Sequence, residues 1–147
     1  MIGMNILFVC TGNTCRSPMA EVLLKDKAPH LFVQSAGIFA SPNEEANQNA
    51  IKALEERGLK IDHSAQTVTK KLLNWADLVL TMTEGHKRLL IDQFPEYQNK
   101  YNTLIEFSTN NQNGDIIDPF GGDLFKYEQT LSEMEKYIEA IIKKIDT

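Results

Sequence analysis

Residues 6–18 read Ile-Leu-Phe-Val-Cys-Thr-Gly-Asn-Thr-Cys-Arg-Ser-Pro, and this segment decides the fold. Its first four residues are apolar without alternation, which is typical of a strand buried on both faces of a parallel sheet. Pro18 suits the first turn of a helix, where its missing N–H costs nothing. We therefore interpret the segment as a strand, a loop and a helix. The loop then lies at the carboxyl end of the strand, where α/β sheets bind their ligands.

The loop between this strand and helix has the composition of an oxyanion site with its own nucleophile. Five residues separate Cys10 from Arg16, a gap that lets successive backbone N–H groups point inward as an anion nest. Arg16 can donate two hydrogen bonds to two oxygens of a tetrahedral oxyanion, and Ser17 is the expected N-cap of the helix. The positive helix end and Arg16 favour a thiolate, so Cys10 is the predicted nucleophile. The expected phosphate-binding residues are Thr11, Gly12, Asn13, Thr14, Cys15 and Ser17.

Two alternatives for this loop use the same residues. A cysteine at a strand end is often a small buried apolar residue, and a lone arginine is often only solvated. A loop of this kind can also hold a phosphate group without catalysis, which would make the chain a regulatory phosphate-binding module. The presence of Gly12, Asn13, Arg16, Ser17 and Pro18 in one loop favours the catalytic interpretation.

Composition excludes several classes of protein. The 147 residues, 42% hydrophobic and 24% charged, are typical of one globular domain with a substantial core. A net charge of −5 argues against broad nucleic-acid binding. No apolar run approaches the ~18 residues that a membrane span needs, and the first five residues lack the positive region of a signal peptide. Two cysteines in one loop do not form a disulfide scaffold, so we expect a cytoplasmic location.

Patterns typical of strands and of helices alternate along the chain. The last helix is the clearest, because its apolar residues recur every three or four positions from Leu124 to Ile145. The alternation predicts one α/β domain, residues 1–147, with a parallel sheet flanked by helices. The predicted strands are residues 5–9, 32–35, 78–81 and 103–107, and the other predicted helices are 18–28, 46–57, 70–75 and 84 to about 94.

A second loop, residues 118–122, reads Asp-Pro-Phe-Gly-Gly and is the best candidate for the second half of the chemistry. When a thiolate attacks phosphorus, the leaving group needs a proton, and a general acid on a separate loop can supply it. Asp118 is the candidate acid, because the proline stiffens the position after it and the glycines allow a tight loop. The alternative is an aspartate that only shapes a turn.

The segment Val-Cys-Thr-Gly-Asn-Thr-Cys-Arg-Ser-Pro-Met-Ala-Glu, residues 9–21, resembles the signature of the low-molecular-weight protein tyrosine phosphatases. Ser-Ala-Gly at 35–37, Asp-His at 62–63, Ala-Asp at 76–77 and Asp-Pro at 118–119 follow in the order of that family. The resemblance covers essentially the whole chain. It implies a three-layer domain with a four-stranded parallel sheet, a phosphocysteine intermediate, and neither metal nor cofactor.

The resemblance also implies a role for individual residues. Cys10 is expected to be the nucleophile, Arg16 to hold the phosphoryl oxygens, and Asp118 to act as acid and then as base. Ser17 is expected to donate to the thiolate when the intermediate is hydrolysed. Asn13, Ser17, Ser35 and His63 match a hydrogen-bond network that shapes the loop.

Two departures from the tyrosine-directed members bear on the substrate. Those members commonly carry isoleucine where this chain has Thr14, and a tyrosine pair where Phe120 and Gly121 follow Asp-Pro. A phosphotyrosine ring favours apolar walls, whereas the guanidinium of phosphoarginine is planar, cationic and hydrogen-bonding. The pattern resembles the bacterial protein arginine phosphatase branch. We therefore expect the chain to act on phosphoarginine in proteins, with phosphotyrosine as the alternative substrate. One domain with a single active-site cleft is compatible with a monomer.

The two cysteines bear on a rival function and on regulation. Arsenate reductases of the thioredoxin-coupled type share this loop but need further cysteines, and none follows Cys15. Cys15 is either a small residue of the loop or a thiol that resolves oxidised Cys10 as a reversible disulfide. We expect peroxide to inactivate the protein and dithiothreitol to restore it.

Overall fold

The strand β1, Asn5–Cys10, is one of the two inner strands of the sheet, and it carries the nucleophile candidate at its carboxyl end. It pairs in parallel with β2, Phe32–Gly37, on one side and with β3, Leu78–Thr81, on the other. The strand β4, Tyr101–Thr103, extends the sheet beyond β3, so the order is β2-β1-β3-β4 and each pairing is parallel. The four-stranded parallel sheet expected for this chain is confirmed.

This computed structural model describes residues 4–110 and 112–146. The expectation about a signal peptide rests partly on residues 1–3, which lie outside the described residues, as does residue 111 of the Asn-rich loop. Within the described ranges, no helix is long and apolar enough to cross a membrane.

Helices connect the strands and cover both faces of the sheet. On one face, Phe8 and Leu80 pack with the long carboxyl-terminal helix, whose apolar stripe is buried as predicted. On the other face, Leu7 and Val79 pack with two shorter helices through Leu73 and Leu90. The three-layer arrangement is therefore confirmed. The helices are α1 (Arg16–Lys27), α2 (Gln48–Glu55), α3 (Lys70–Trp75), α4 (Glu84–Gln93), a 3-10 helix (Pro95–Lys100), α5 (Leu104–Ser108) and α6 (Leu124–Ile145).

The prediction of a strand over residues 103–107 is wrong. Strand β4 ends at Thr103, and the apolar residues that follow form α5. Thr103 and Glu106 make a capping box: the Thr103 hydroxyl accepts from the Glu106 N–H at 3.0 Å, and the Glu106 carboxylate accepts from the Thr103 N–H at 3.2 Å. Leu104 and Ile105 are buried in this short helix, as they would be in a strand, so their apolar character did not distinguish the two.

The start of α1 also differs from the prediction. The helix begins at Arg16, with Cys15 at the N-cap and no side-chain capping bond. Ser17, the expected N-cap, lies inside the first turn, and its hydroxyl contacts the Cys10 sulfur instead of capping the helix. Strand β2 extends to Gly37, since its last two residues pair with the end of β1.

Candidate active site

The loop from Cys10 to Ser17 forms the floor of a pocket at the carboxyl end of β1. Cys10 is 3% exposed, and its Sγ lies 2.8 Å from the Ser17 hydroxyl. The Asn13 backbone N–H donates to the same sulfur at 3.3 Å. A thiolate here therefore has two donors in place, as a nucleophile that must also leave requires. The pocket has a volume of about 330 Å³ and is lined by Cys10, Thr11, Gly12, Thr14, Cys15, Arg16, Glu44, Asp118 and Phe120.

Asn13 holds the loop in shape from inside. Its φ of 58° is a left-handed conformation, which asparagine tolerates better than most residues. Its fully buried side-chain amide donates to the hydroxyls of Ser17 and Ser35, each at 2.9 Å. Its backbone carbonyl lies 2.6 Å from Nε2 of His63. The structure thus brings together the four residues for which the sequence predicted a hydrogen-bond network.

Arg16 and Asp118 approach each other across the pocket. Arg16 is 5% exposed, and one guanidinium nitrogen donates to the carbonyl of Ile116 at 2.9 Å. Another lies 3.6 Å from a carboxylate oxygen of Asp118, which is half-exposed. The Ile116 N–H donates to the carbonyl of Met82 at 2.9 Å, so the loop carrying Asp118 is tied to the end of β3. The second Asp118 oxygen accepts from the Phe120 N–H at 3.0 Å, which orients the carboxylate.

The remaining predicted residues lie at the walls of the pocket. Phe120 is 73% exposed and stands at the rim. Cys15 is buried, and its Sγ lies 3.4 Å from the Tyr127 hydroxyl on α6. Burial raises the pKa of the Cys15 thiol. Cys15 is therefore held as a neutral thiol beside the pocket, and Cys10 and Cys15 are both unpaired.

Sequence reasoning missed several residues that support this site. Gln66 donates its backbone N–H to the Asn13 side-chain oxygen at 3.0 Å, and Glu21 accepts from the Ser35 hydroxyl at 2.6 Å. Glu21 closes the quoted signature segment, which was a usable signal. Gln66 and Tyr127 carry no local signal, because they reach the site from distant elements.

His86, on α4, is the least expected neighbour of the loop. It is 7% exposed, and its Nε2 lies 2.8 Å from the Thr11 hydroxyl. Burial, together with the charge of Arg16, lowers the pKa of His86 to about 4. The imidazole is therefore neutral at pH 7.

In the described part of the chain, no group of three or more His, Cys, Asp or Glu side chains is arranged to hold a metal ion.

Comparison with known proteins agrees with this geometry. The family model of low-molecular-weight phosphotyrosine protein phosphatases matches residues 5–147. A protein-arginine-phosphatase of Bacillus subtilis is 45% identical over 146 residues, covering 97% of each chain. A low-molecular-weight protein-tyrosine-phosphatase of Staphylococcus aureus is 40% identical over 135 residues, covering 92% of this chain and 94% of the other.

A solved structure is similar along nearly the whole chain. It is the YwlE arginine phosphatase, in a Cys-to-Ser mutant with a phosphorylated active-site serine. Its TM-score is 0.96 at 44% identity, covering 98% of this chain and 97% of that one. Together with the family match, this similarity confirms the resemblance seen in the sequence. The chain belongs to the low-molecular-weight protein tyrosine phosphatase family.

Proposed function

We propose that this chain is a protein phosphatase that hydrolyses phosphoarginine in proteins through a phosphocysteine intermediate. The observation that carries the proposal is the placement of Cys10, Arg16 and Asp118 around one pocket. The arginine phosphatase that is 45% identical and the solved arginine phosphatase with a phosphorylated active-site serine support the substrate and the intermediate.

In the first step, the Cys10 sulfur attacks phosphorus from the pocket floor. The S–P bond forms as the P–N bond to the arginine side chain breaks. Asp118, protonated at this stage, gives its proton to the departing nitrogen. Arg16 and the backbone N–H groups of the loop bind the phosphoryl oxygens, whose charge they stabilise in the transition state.

In the second step, water attacks the phosphocysteine. Asp118, now a carboxylate, takes a proton from the water as its oxygen bonds to phosphorus and the S–P bond breaks. The electron pair returns to the Cys10 sulfur, and the Ser17 hydroxyl at 2.8 Å donates to the thiolate that forms. Inorganic phosphate is the product, and the enzyme is regenerated without a metal ion in any step.

The other site residues shape the pocket around these three. Asn13, Ser35 and His63 hold the loop in shape through hydrogen bonds to the side chain and the carbonyl of Asn13. Thr11, Gly12, Thr14 and Cys15 supply loop backbone to the phosphoryl group. At the rim, Thr14 offers a hydroxyl in place of apolar bulk, and Phe120 supplies one apolar wall.

A direct comparison of substrates tests the proposal. One peptide carrying either phosphoarginine or phosphotyrosine is offered to the purified protein, and kcat/KM is measured for both. We expect a higher value for phosphoarginine, loss of turnover in Cys10→Ser, and slower turnover in Asp118→Asn. Thr14→Ile should shift selectivity towards phosphotyrosine. A higher kcat/KM of the wild type on phosphotyrosine would overturn the substrate assignment.

A tyrosine phosphatase is the second candidate function. The observation that favours it is the 40% identity to the tyrosine phosphatase of Staphylococcus aureus. The same pair of peptides separates the two candidates, because the catalytic residues are common to both.

We also propose that the chain acts as a monomer on phosphorylated proteins in the cytosol. One chain supplies each residue named around the pocket, so catalysis needs no second copy. The sulfur of the nucleophile must remain reduced, which a reducing compartment favours.

A further inference from the structure

One charged residue of the pocket lining has no task in the proposed reaction. Arg16, Asp118 and Glu44 are the charged side chains in its lining. Arg16 faces the phosphoryl group and Asp118 moves the proton, whereas the proposed mechanism assigns no task to Glu44. Glu44 is an exposed residue of the pocket lining, on the segment between β2 and α2.

Backbone hydrogen bonds fix the position of Glu44 relative to the loop. The Glu44 carbonyl accepts from the Ala65 N–H at 2.8 Å, and the preceding Asn43 N–H donates to the Ala65 carbonyl at 2.8 Å. Three residues further on, the Asn47 N–H donates to the carbonyl of Thr14 at 2.8 Å. The segment is therefore tied on both sides of Glu44, once to the chain near His63 and once to the phosphate loop itself.

A carboxylate at this wall distinguishes leaving groups by charge. The guanidinium of phosphoarginine is cationic in the bound substrate and stays cationic after the P–N bond breaks. The tyrosine side chain of phosphotyrosine carries no positive charge, and partial negative charge develops on its oxygen. Asp118 is protonated until it gives its proton to the departing nitrogen, so it offers the guanidinium no negative charge before that transfer. A second carboxylate attracts the cation in both the ground and the transition state.

We propose that Glu44 is a specificity-determining residue that favours phosphoarginine over phosphotyrosine through its charge. The inference rests on the proposed function and deepens it, since it identifies a residue of the same pocket that selects a cationic leaving group. Glu44 is exposed, so water screens the attraction and its effect is modest. We expect a change in selectivity of about three- to fivefold.

The test compares Glu44→Gln with Glu45→Gln as the matched control. Glu45 is the next residue, is also exposed, and lies outside the pocket lining. Glutamine keeps the size of each side chain and removes its charge. The readout is kcat/KM on the same peptide carrying phosphoarginine or phosphotyrosine. In Glu44→Gln the ratio of the two values should fall about three- to fivefold, mostly through KM for phosphoarginine, while Glu45→Gln keeps the wild-type ratio.

Two further measurements separate local charge from other causes. The effect of Glu44→Gln should shrink in high salt, because screening weakens interactions between exposed charges. Inorganic phosphate should inhibit Glu44→Gln about twofold more strongly than the wild type, because a like charge beside the bound anion is removed. The thermal midpoint should not change, since the described bonds of Glu44 are made by its backbone.

The possible failures are distinguishable. If the wild type prefers phosphotyrosine, the proposed function fails. If the wild type prefers phosphoarginine and Glu44→Gln leaves the ratio unchanged, the inference about Glu44 fails alone. An equal fall of the ratio in Glu45→Gln would also overturn it, because general surface charge would then explain the selectivity.

Discussion

Replacing Asn13 by alanine tests whether the buried network of its side chain holds the phosphate loop. The Asn13 side chain makes three hydrogen bonds, to Ser17, to Ser35 and from the backbone N–H of Gln66. Alanine removes all three, and it tolerates the left-handed φ of 58° at this position less well than asparagine does. The variant therefore loses internal bonds and keeps an unfavourable backbone conformation.

The expected magnitude follows from these two terms. Each intramolecular hydrogen bond contributes about 1 kcal/mol net, so the three together contribute about 3 kcal/mol. The left-handed backbone conformation destabilises the alanine variant by about 1 kcal/mol in addition. A loss of about 4 kcal/mol is a large part of the 5–15 kcal/mol that typically stabilises a domain. For a chain of this length, it lowers the thermal midpoint by roughly 10 °C.

Urea denaturation and a thermal scan of both proteins measure this loss, with Asn43→Ala as the control. Asn43 has a φ of 70°, but its exposed side chain accepts one hydrogen bond, from Ser64 at 3.3 Å. Its replacement should cost only the backbone term, about 1 kcal/mol. If Asn13→Ala is no more destabilised than Asn43→Ala, the network does not stabilise the loop and the reasoning is refuted.

Three further predictions concern pH, packing and oxidation. The pKa of His86 is lowered to about 4 in the folded chain, from its usual 6.5. Between pH 6.5 and 4, the imidazole is therefore protonated in the unfolded chain but not in the folded one. The free energy of unfolding should therefore fall by up to roughly 3 kcal/mol from pH 6.5 to 4. Urea titrations at several pH values measure it, and in His86→Gln this fall with pH should be smaller by the same amount. Gly37→Ala would place a β-carbon 2.6 Å from the carbonyl oxygen of Thr11 and displace the phosphate loop, so kcat/KM should drop at least about tenfold. In the control Gly85→Ala, the β-carbon meets nothing closer than 3.6 Å, and kcat/KM should stay near the wild-type value. After peroxide converts Cys10 to a sulfenic acid, Cys15 must attack as a thiolate, forming the disulfide and releasing water. Since burial raises the pKa of Cys15, the activity that dithiothreitol recovers should increase from pH 7 to 9, and equal recovery in Cys15→Ser would contradict this route.

The sequence alone was sufficient for the features that depend on neighbouring residues. The buried strand, the loop and the helix at residues 5–27 follow one another without interruption, so their local preferences agree with the fold. The stripe from Leu124 to Ile145 likewise predicted α6, because a period of three to four residues can bury one face only as a helix. The family resemblance predicted the hydrogen-bond network around Asn13 before any contact was known, and the structure shows those bonds.

Only the tertiary structure decided which distant groups meet at the pocket. The bond from Arg16 to the Ile116 carbonyl spans 100 positions of sequence, and the contact of Cys15 with Tyr127 spans 112. The register of packed elements sets such contacts, and no local pattern encodes it. The tertiary structure also made the apolar residues after Thr103 a helix, and turned Ser17 towards the nucleophile. It also placed Glu44 in the pocket lining, because backbone hydrogen bonds to Ala65 and to the carbonyl of Thr14 hold that segment there. The residues next to Glu44 in the sequence did not reveal this position.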